Sequence, residues 1–344
     1  MDHWDGLLHS HKGTLTVVGM AKNVGKTVTL NSLIDFFSRR GWTVGVTSVG
    51  RDGERYDALT QLRKPAITLQ PGTFLATADL VLGNQKPVQL LRYTGMRTPM
   101  GEVALFQVKE TADVVVAGPS KNHELRKVVE LFLADLKVRC VLIDGAFDRQ
   151  SAVDPAVSGK VILASGATLS RNMEEVIALT KCRVEQLTLA PCPAPLKKMI
   201  ENSGARILLF DGENIREVSL PTALLRKTAW REIFREQPSD LFIKGAVGNE
   251  LAEALLENRG PCRVIVPDGS KVFIDAFLWK RLAAQEIFFQ ALHPICLLAV
   301  TINPTYPGGK GYDPDELLEK MGSALHPLPV LDVMQGKKYQ REFR

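Results

Sequence analysis

No apolar run in this sequence approaches the roughly 20 residues that cross a bilayer, so no membrane-spanning helix is expected. CxxC pairs are missing too. The five cysteines (Cys140, Cys182, Cys192, Cys262 and Cys296) are odd in number and lack metal-ligand spacing, which argues against a disulfide framework or a zinc site. Cys140 and Cys296 lie in apolar, strand-like runs where a free thiol acts as a small hydrophobe, so a reducing compartment is expected. The opening MDHWDGLLHSHK lacks the basic start and apolar core of a secretory signal, and a cytoplasmic location follows as an expectation. Charge of one sign is not in excess. Lys plus Arg number 43 against 38 Asp plus Glu, a net +5 over 344 residues, too slight to predict a nucleic-acid surface. The densest basic stretch, Gly336 to Arg344 with Lys337, Lys338, Arg341 and Arg344, reads as a solvated tail. What is present, 45% apolar and 24% charged residues without repeats or low-complexity segments, describes a globular chain long enough for two domains.

Short apolar runs alternate with amphipathic segments, the pattern of βα units building a mainly parallel sheet. Strands are expected at Thr14–Gly19, Thr43–Thr47, Asp113–Ala117, Arg139–Asp144, Lys160–Ala164, Val184–Leu189 and Arg206–Phe210. Helices are expected at Thr27–Arg40, Ser120–Leu136, Ser170–Lys181 and Ala194–Asn202. Residues 64–110 read as an insertion carrying a hairpin, Val88–Tyr93 with Glu102–Val108. A helix at Pro221–Glu236 leads to Gln237-Pro238-Ser239, a boundary signal. The expected division is a nucleotide-binding domain over 1–236, a smaller α/β domain over 237–335 and the basic tail 336–344. Within the second domain, strands are expected at Asp240–Lys244, Cys262–Val266, Ile295–Ile302 and Val330–Val333. Its expected helices are Asn249–Glu257, Phe277–Gln290 and Asp313–Met321.

The strongest motif is GMAKNVGKT, Gly19 to Thr27, with an apolar strand before it and an amphipathic helix after it. Such a loop points successive backbone N–H groups of Lys22, Asn23, Val24 and Gly25 at an anion, and Gly25 lets the backbone come close. The helix N-terminus, running through Lys26, Thr27 and Val28, adds partial positive charge. Lys26 is expected on the β- and γ-phosphates and Thr27 on Mg²⁺. Five residues rather than four separate Gly19 from Gly25. Lys22 reads either as a phosphate ligand across a dimer or as a solvated loop lysine.

Two strand ends supply acids. Arg51, Asp52 and Glu54 follow the second strand, where open parallel sheets bind ligands, and Asp52 is a candidate for Mg²⁺ and catalysis. VRCVLIDGA ends an apolar strand on Asp144, the first choice for the acid beside Mg²⁺. Weaker signals are Ser120 as an N-cap, a second Gly-bearing turn at Gly245–Glu250, and the pair His9 and His11, which lacks further metal ligands. The loop Asn303–Glu316, NPTYPGGKGYDPDE, has the Pro/Gly character of a recognition loop. No Asn-Lys-x-Asp ends a strand, so ATP is expected rather than GTP.

In this order, VVGMAKNVGKTVTLN, GVTSVGRDGE, VLIDGAFDR, ILASGA and INPTYPGGKGYDPDELLEKM resemble a known family. That family is the ATP-dependent reactivase subunits for adenosylcobalamin-dependent lysine 5,6-aminomutase and ornithine aminomutase. The resemblance implies a chaperone-like, partner-stimulated ATPase that uses ATP and Mg²⁺ to drive damaged cobalamin from an inactivated mutase, working with a second subunit. It places nucleotide and Mg²⁺ at Gly25, Lys26 and Thr27, with Asp144 beside them. No DxHxxG cobalamin motif occurs. The loop also resembles dethiobiotin synthetase, an ATP-dependent ligase, but that family's Lys-Pro after the second strand is replaced here by Thr47-Ser48-Val49-Gly50. A nucleotide-binding accessory protein for cofactor insertion is the remaining alternative.

Overall fold

The structure, a computed structural model, describes residues 3–50, 66–82, 87–145, 157–212, 214–218, 225–235, 238–257 and 263–340. The chain divides into two compact units, one of residues 1–177 with 297–344 and the other of residues 178–296.

The first unit is built on a ten-stranded sheet. From one edge to the other, its strands are Lys337–Lys338, Val330–Asp332, Leu297–Asn303, Lys160–Gly166, Gly13–Gly19, Cys140–Asp144, Val44–Ser48, Phe74–Ala78, Gly101–Val108 and Val88–Thr98. Every pairing from Val330–Asp332 to Phe74–Ala78 is parallel, and the pairings outside that run are antiparallel. The central strands are apolar throughout: Leu15, Val17, Leu142, Ile143, Ile162 and Leu163 are each buried, as befits a sheet covered on both faces. Helix Lys26–Arg39 buries Leu30, Leu33, Ile34 and Phe37 at helical spacing, and its Thr29 hydroxyl meets that of Thr301 at 2.8 Å.

The second unit has its own six-stranded sheet. Asp240–Ile243, Arg263–Val266 and Phe288–Ala291 run parallel, and Ile207–Asp211 pairs antiparallel beside them. Helices Asn249–Glu257 and Ala276–Ala284 follow the first two of these strands, as βα alternation requires. The core of this unit gathers Trp230, Phe234, Leu241, Leu251, Leu255 and Val264.

Several expectations need correction. The units do not divide at 236/237, because Leu297–Asn303 and Val330–Asp332 pair into the first sheet next to Lys160–Gly166. Val184–Leu189 is no strand: helix Met173–Leu187 covers most of it, with Val176, Thr180, Arg183 and Leu187 buried at intervals of three and four. The expected helix Phe277–Gln290 stops at Ala284, where Glu286 turns left-handed (φ 57°) and strand Phe288–Ala291 begins. Asp113–Ala117 shrinks to Ala112–Val114, paired with Ile67–Leu69 outside the large sheet. The insertion takes the place beside Val44–Ser48 instead, as Phe74–Ala78 and the hairpin behind it. Ser120 is not an N-cap, since helix Asn122–Glu130 starts after Lys121. The basic tail is partly ordered: Lys337 and Lys338 pair with Asp332 and Leu331, and the Tyr339 ring fills the space over Gly322. Residues 341–344 lie outside the described residues.

The amino-terminal stretch is also packed. Trp4 and Leu8 are fully buried, and the Trp4 indole donates to the Ser32 hydroxyl at 3.0 Å. His9 is exposed and His11 buried, and no group of three metal-ligating side chains occurs among the described residues. Burial foremost, then Lys160 and Arg139, holds the His11 imidazole below its ordinary value. The unfolded chain therefore binds this proton at a higher pH than the folded one. The His11 contribution is complete above about pH 6.5 and declines as pH falls. Thermal unfolding from pH 7.5 to 5 is expected to show a smaller acid loss of Tm in His11→Gln than in the wild type; equal losses would remove His11 as the cause. Burial likewise pushes the Cys182 thiol up to about 11, leaving it a neutral, unreactive group.

Candidate nucleotide site

Strand Gly13–Gly19 delivers the chain to the loop at the carboxyl edge of the sheet, and helix Lys26–Arg39 leaves it. Between them, Asn23 (φ 61°) and Gly25 (φ 94°) are left-handed. Such residues turn backbone N–H groups into a concave anion nest, and at 25 a side chain would be strained. Gly19 is required for a different reason. A Cβ there would stand 2.7 Å from Lys26 Cγ and 2.7 Å from Val24 Cγ2, so the lysine stem crosses the space that glycine leaves open. Val24 is buried beneath the loop, while Lys22 and Asn23 are exposed.

The Lys26 ammonium reaches the end of the neighbouring strand Cys140–Asp144. It donates to the Gly145 carbonyl at 3.0 Å and lies 3.5 Å from Asp144 Oδ1. Parallel registration of Val17 with Asp144, and of Ser48 with Asp144, carries that carboxylate to the same edge. Thr27 and Val28, both half-buried, follow Lys26 in the first turn of the helix. The loop, Lys26 and Asp144 thus converge at one edge of the sheet. Asp52, with Arg51 and Glu54, lies outside the described residues. At the end of the second strand the Ser48 hydroxyl is spent inside the fold, accepting from Gly118 N at 2.9 Å and donating to the Val116 carbonyl at 3.1 Å.

Sequence reasoning missed the second wall. The loop after strand Leu297–Asn303 folds back on the phosphate-loop segment: Asn303 Nδ2 donates to the Asn23 carbonyl at 3.0 Å, and its Cβ lies 3.2 Å from where a Gly25 Cβ would be. Thr168 donates to the Lys22 carbonyl at 3.2 Å. Tyr306 and Tyr312 both donate to the Ser170 carbonyl, at 3.1 and 2.7 Å. Burial first, then the contact with Tyr306, pushes the Tyr312 phenol above its ordinary value and keeps it a donor. Lys22, Asn23, Thr168, Ser170 and Tyr306 are among the residues lining an open cavity of about 350 Å³ beside the loop. The Pro/Gly composition of Asn303–Glu316 was the available signal, though it named no side chain. At Gly245–Glu250, the weaker candidate, Val247–Gly248 instead pairs with Val272–Phe273.

A glycine-bearing loop between strand and helix, a lysine at the helix start and an acid on the adjacent strand, all on a mostly parallel sheet flanked by helices, make the architecture of a P-loop NTPase. No described helix is long and apolar enough to cross a membrane. No protein-family model matches the chain, and no curated protein does. Among solved structures, the chain is similar to the signal recognition particle receptor FtsY from Elizabethkingia anophelis, at 15% identity and a TM-score of 0.25. That likeness covers 48% of this chain and 46% of the receptor, so the chain spans less than half the receptor's length.

Proposed function

We propose that this protein is a cytoplasmic, ATP-dependent reactivase that acts on an adenosylcobalamin-dependent amino acid aminomutase. The observation that carries its nucleotide chemistry is the Lys26 ammonium, held 3.0 Å from the Gly145 carbonyl and 3.5 Å from Asp144 at the mouth of a glycine loop. The client assignment rests on the ordered motif resemblance. Thr27 and Asp144 offer a hydroxyl and a carboxylate, hard oxygen donors that suit Mg²⁺, which is commonly held by one or two protein groups plus substrate phosphates. When bound, Mg²⁺ would neutralise phosphate charge. The chain's own part would be to hold the phosphates with Lys26, which now lies 3.5 Å from Asp144, and to hold the metal with Thr27 and Asp144. Backbone N–H groups around Asn23 and Gly25 orient the same phosphates.

ATP and ADP states that bind the mutase with different energies would shift it between closed and cofactor-releasing forms. Hydrolysis alone is therefore expected to be negligible, and a mutase carrying inactivated cobalamin is expected to stimulate it. A dethiobiotin-synthetase-like ligase is disfavoured because the second strand ends without lysine and Ser48 is turned inward. The test is mutase activity after turnover inactivation, with this protein, its second subunit, fresh adenosylcobalamin and ATP or a non-hydrolysable analogue. Recovery with ATP alone supports the reading. If lysine and ornithine aminomutases both stay inactive, it is wrong.

A further inference from the structure

The cavity beside the phosphate loop has no role in the chemistry described so far, and its lining is unusual for a site that reads a nucleobase by its edge. It is walled by Lys22, Thr168, Ser170, Arg171, Tyr306 and Pro307, among others. At about 350 Å³ it is at the small end of ligand pockets. Lys22 and Asn23 belong both to the cavity lining and to the loop, so the cavity adjoins the nest where phosphates would sit.

Edge reading needs fixed donors and acceptors aimed at the base. Here the Thr168 and Ser170 hydroxyls, and the carbonyls of Lys22, Asn23 and Ser170, are already engaged. The Thr168 hydroxyl donates to the Lys22 carbonyl at 3.2 Å, and the Ser170 hydroxyl to Glu175 at 2.5 Å. The Ser170 carbonyl takes both tyrosine phenols, and the Asn23 carbonyl takes Asn303. No carboxylate among the described residues lines the cavity, so guanine's N2–H₂ donors have no anionic acceptor. What remains is a flat wall, the Tyr306 ring with the Arg171 guanidinium 4.7 Å above its centroid. Such a surface attracts any base through its π-face.

We infer that this cavity holds the nucleobase by stacking on Tyr306 and Arg171, and that it distinguishes adenine from guanine only weakly. The inference rests on the phosphate-loop reading above, and calorimetric titration of the full chain separates the two. The ligands are ATP, GTP and inorganic tripolyphosphate, each with Mg²⁺. ATP and GTP are expected to bind within tenfold of each other, and both more tightly than tripolyphosphate. Tyr306→Ala is expected to weaken both nucleotides by roughly 5- to 100-fold while leaving tripolyphosphate unchanged. Tyr306→Phe keeps the ring and is expected to match the wild type. Arg171→Ala, at an exposed position that the fold does not need, is expected to weaken both nucleotides alike. Unchanged nucleotide affinity in both alanine variants, or a preference between ATP and GTP beyond tenfold, would overturn the stacking site. Failure of the wild type to bind any of the three ligands would instead overturn the phosphate loop, and this inference with it.

Discussion

Lys26→Ala is expected to lower mutase-stimulated ATP hydrolysis by at least roughly 10²- to 10³-fold, the scale on which removing a preorganised charge-stabilising group acts. The effect is large because this ammonium sits where phosphate charge is to be met, with its stem laid over Gly19 and its head at Gly145 and Asp144. Alanine leaves the nest and the helix start in place, but no cation between them. The sheet does not depend on the lysine. Asp144 is registered by backbone pairing with Val17 and Ser48, and helix Lys26–Arg39 is held by Leu30, Leu33 and Phe37. Circular dichroism should therefore be unchanged while calorimetry shows ATP–Mg²⁺ affinity collapsing. Wild-type affinity in the variant would remove Lys26 from the site.

Asp144→Asn separates binding from turnover. The amide keeps the shape of the carboxylate but loses its charge, so Mg²⁺ is positioned poorly and hydrolysis should drop by about 10²-fold or more. Nucleotide affinity should survive, since Lys26 no longer has to leave an ion pair at 3.5 Å to reach a phosphate. The competition is local: the side chains of Lys26 and Asp144 are only 19% and 11% exposed, so solvent screens their attraction less than at an open surface. Steady-state phosphate release at saturating ATP decides the matter, read with the mutase present. An unchanged rate would pass the role to Asp52 or Glu54.

The core of the site was legible because its signal is local. One continuous segment contains strand, loop and helix, and the apolar run ending in Asp144 reads as a buried strand whose acid stands at the ligand edge. Signals that depend on distant partners were not legible. Val184–Leu189 (VEQLTL) is only half apolar and too short for its spacing to separate strand from helix, and the buried positions running back to Val176 decide for helix. The boundary signal at Gln237-Pro238-Ser239 falls inside the second unit, and nothing near it in sequence shows that Leu297–Asn303 pairs with Lys160–Gly166. Asn303 was invisible as a loop-holding residue for the same reason. Its amide serves a carbonyl 280 residues away.

That separation has a consequence for the birth of the molecule. At a synthesis rate of about 5–20 residues per second, roughly 15 to 60 s pass between the emergence of Asn23 and that of Asn303. In the second half of that interval, once residue 166 has been made, the Lys160–Gly166 strand has one neighbour, Gly13–Gly19, and an open edge on its other side. The nascent chain thus carries the whole nucleotide motif before it can close the wall that supports it. Early fragments of this protein should be poor ligand binders and sticky at that edge, and competence should come late in translation.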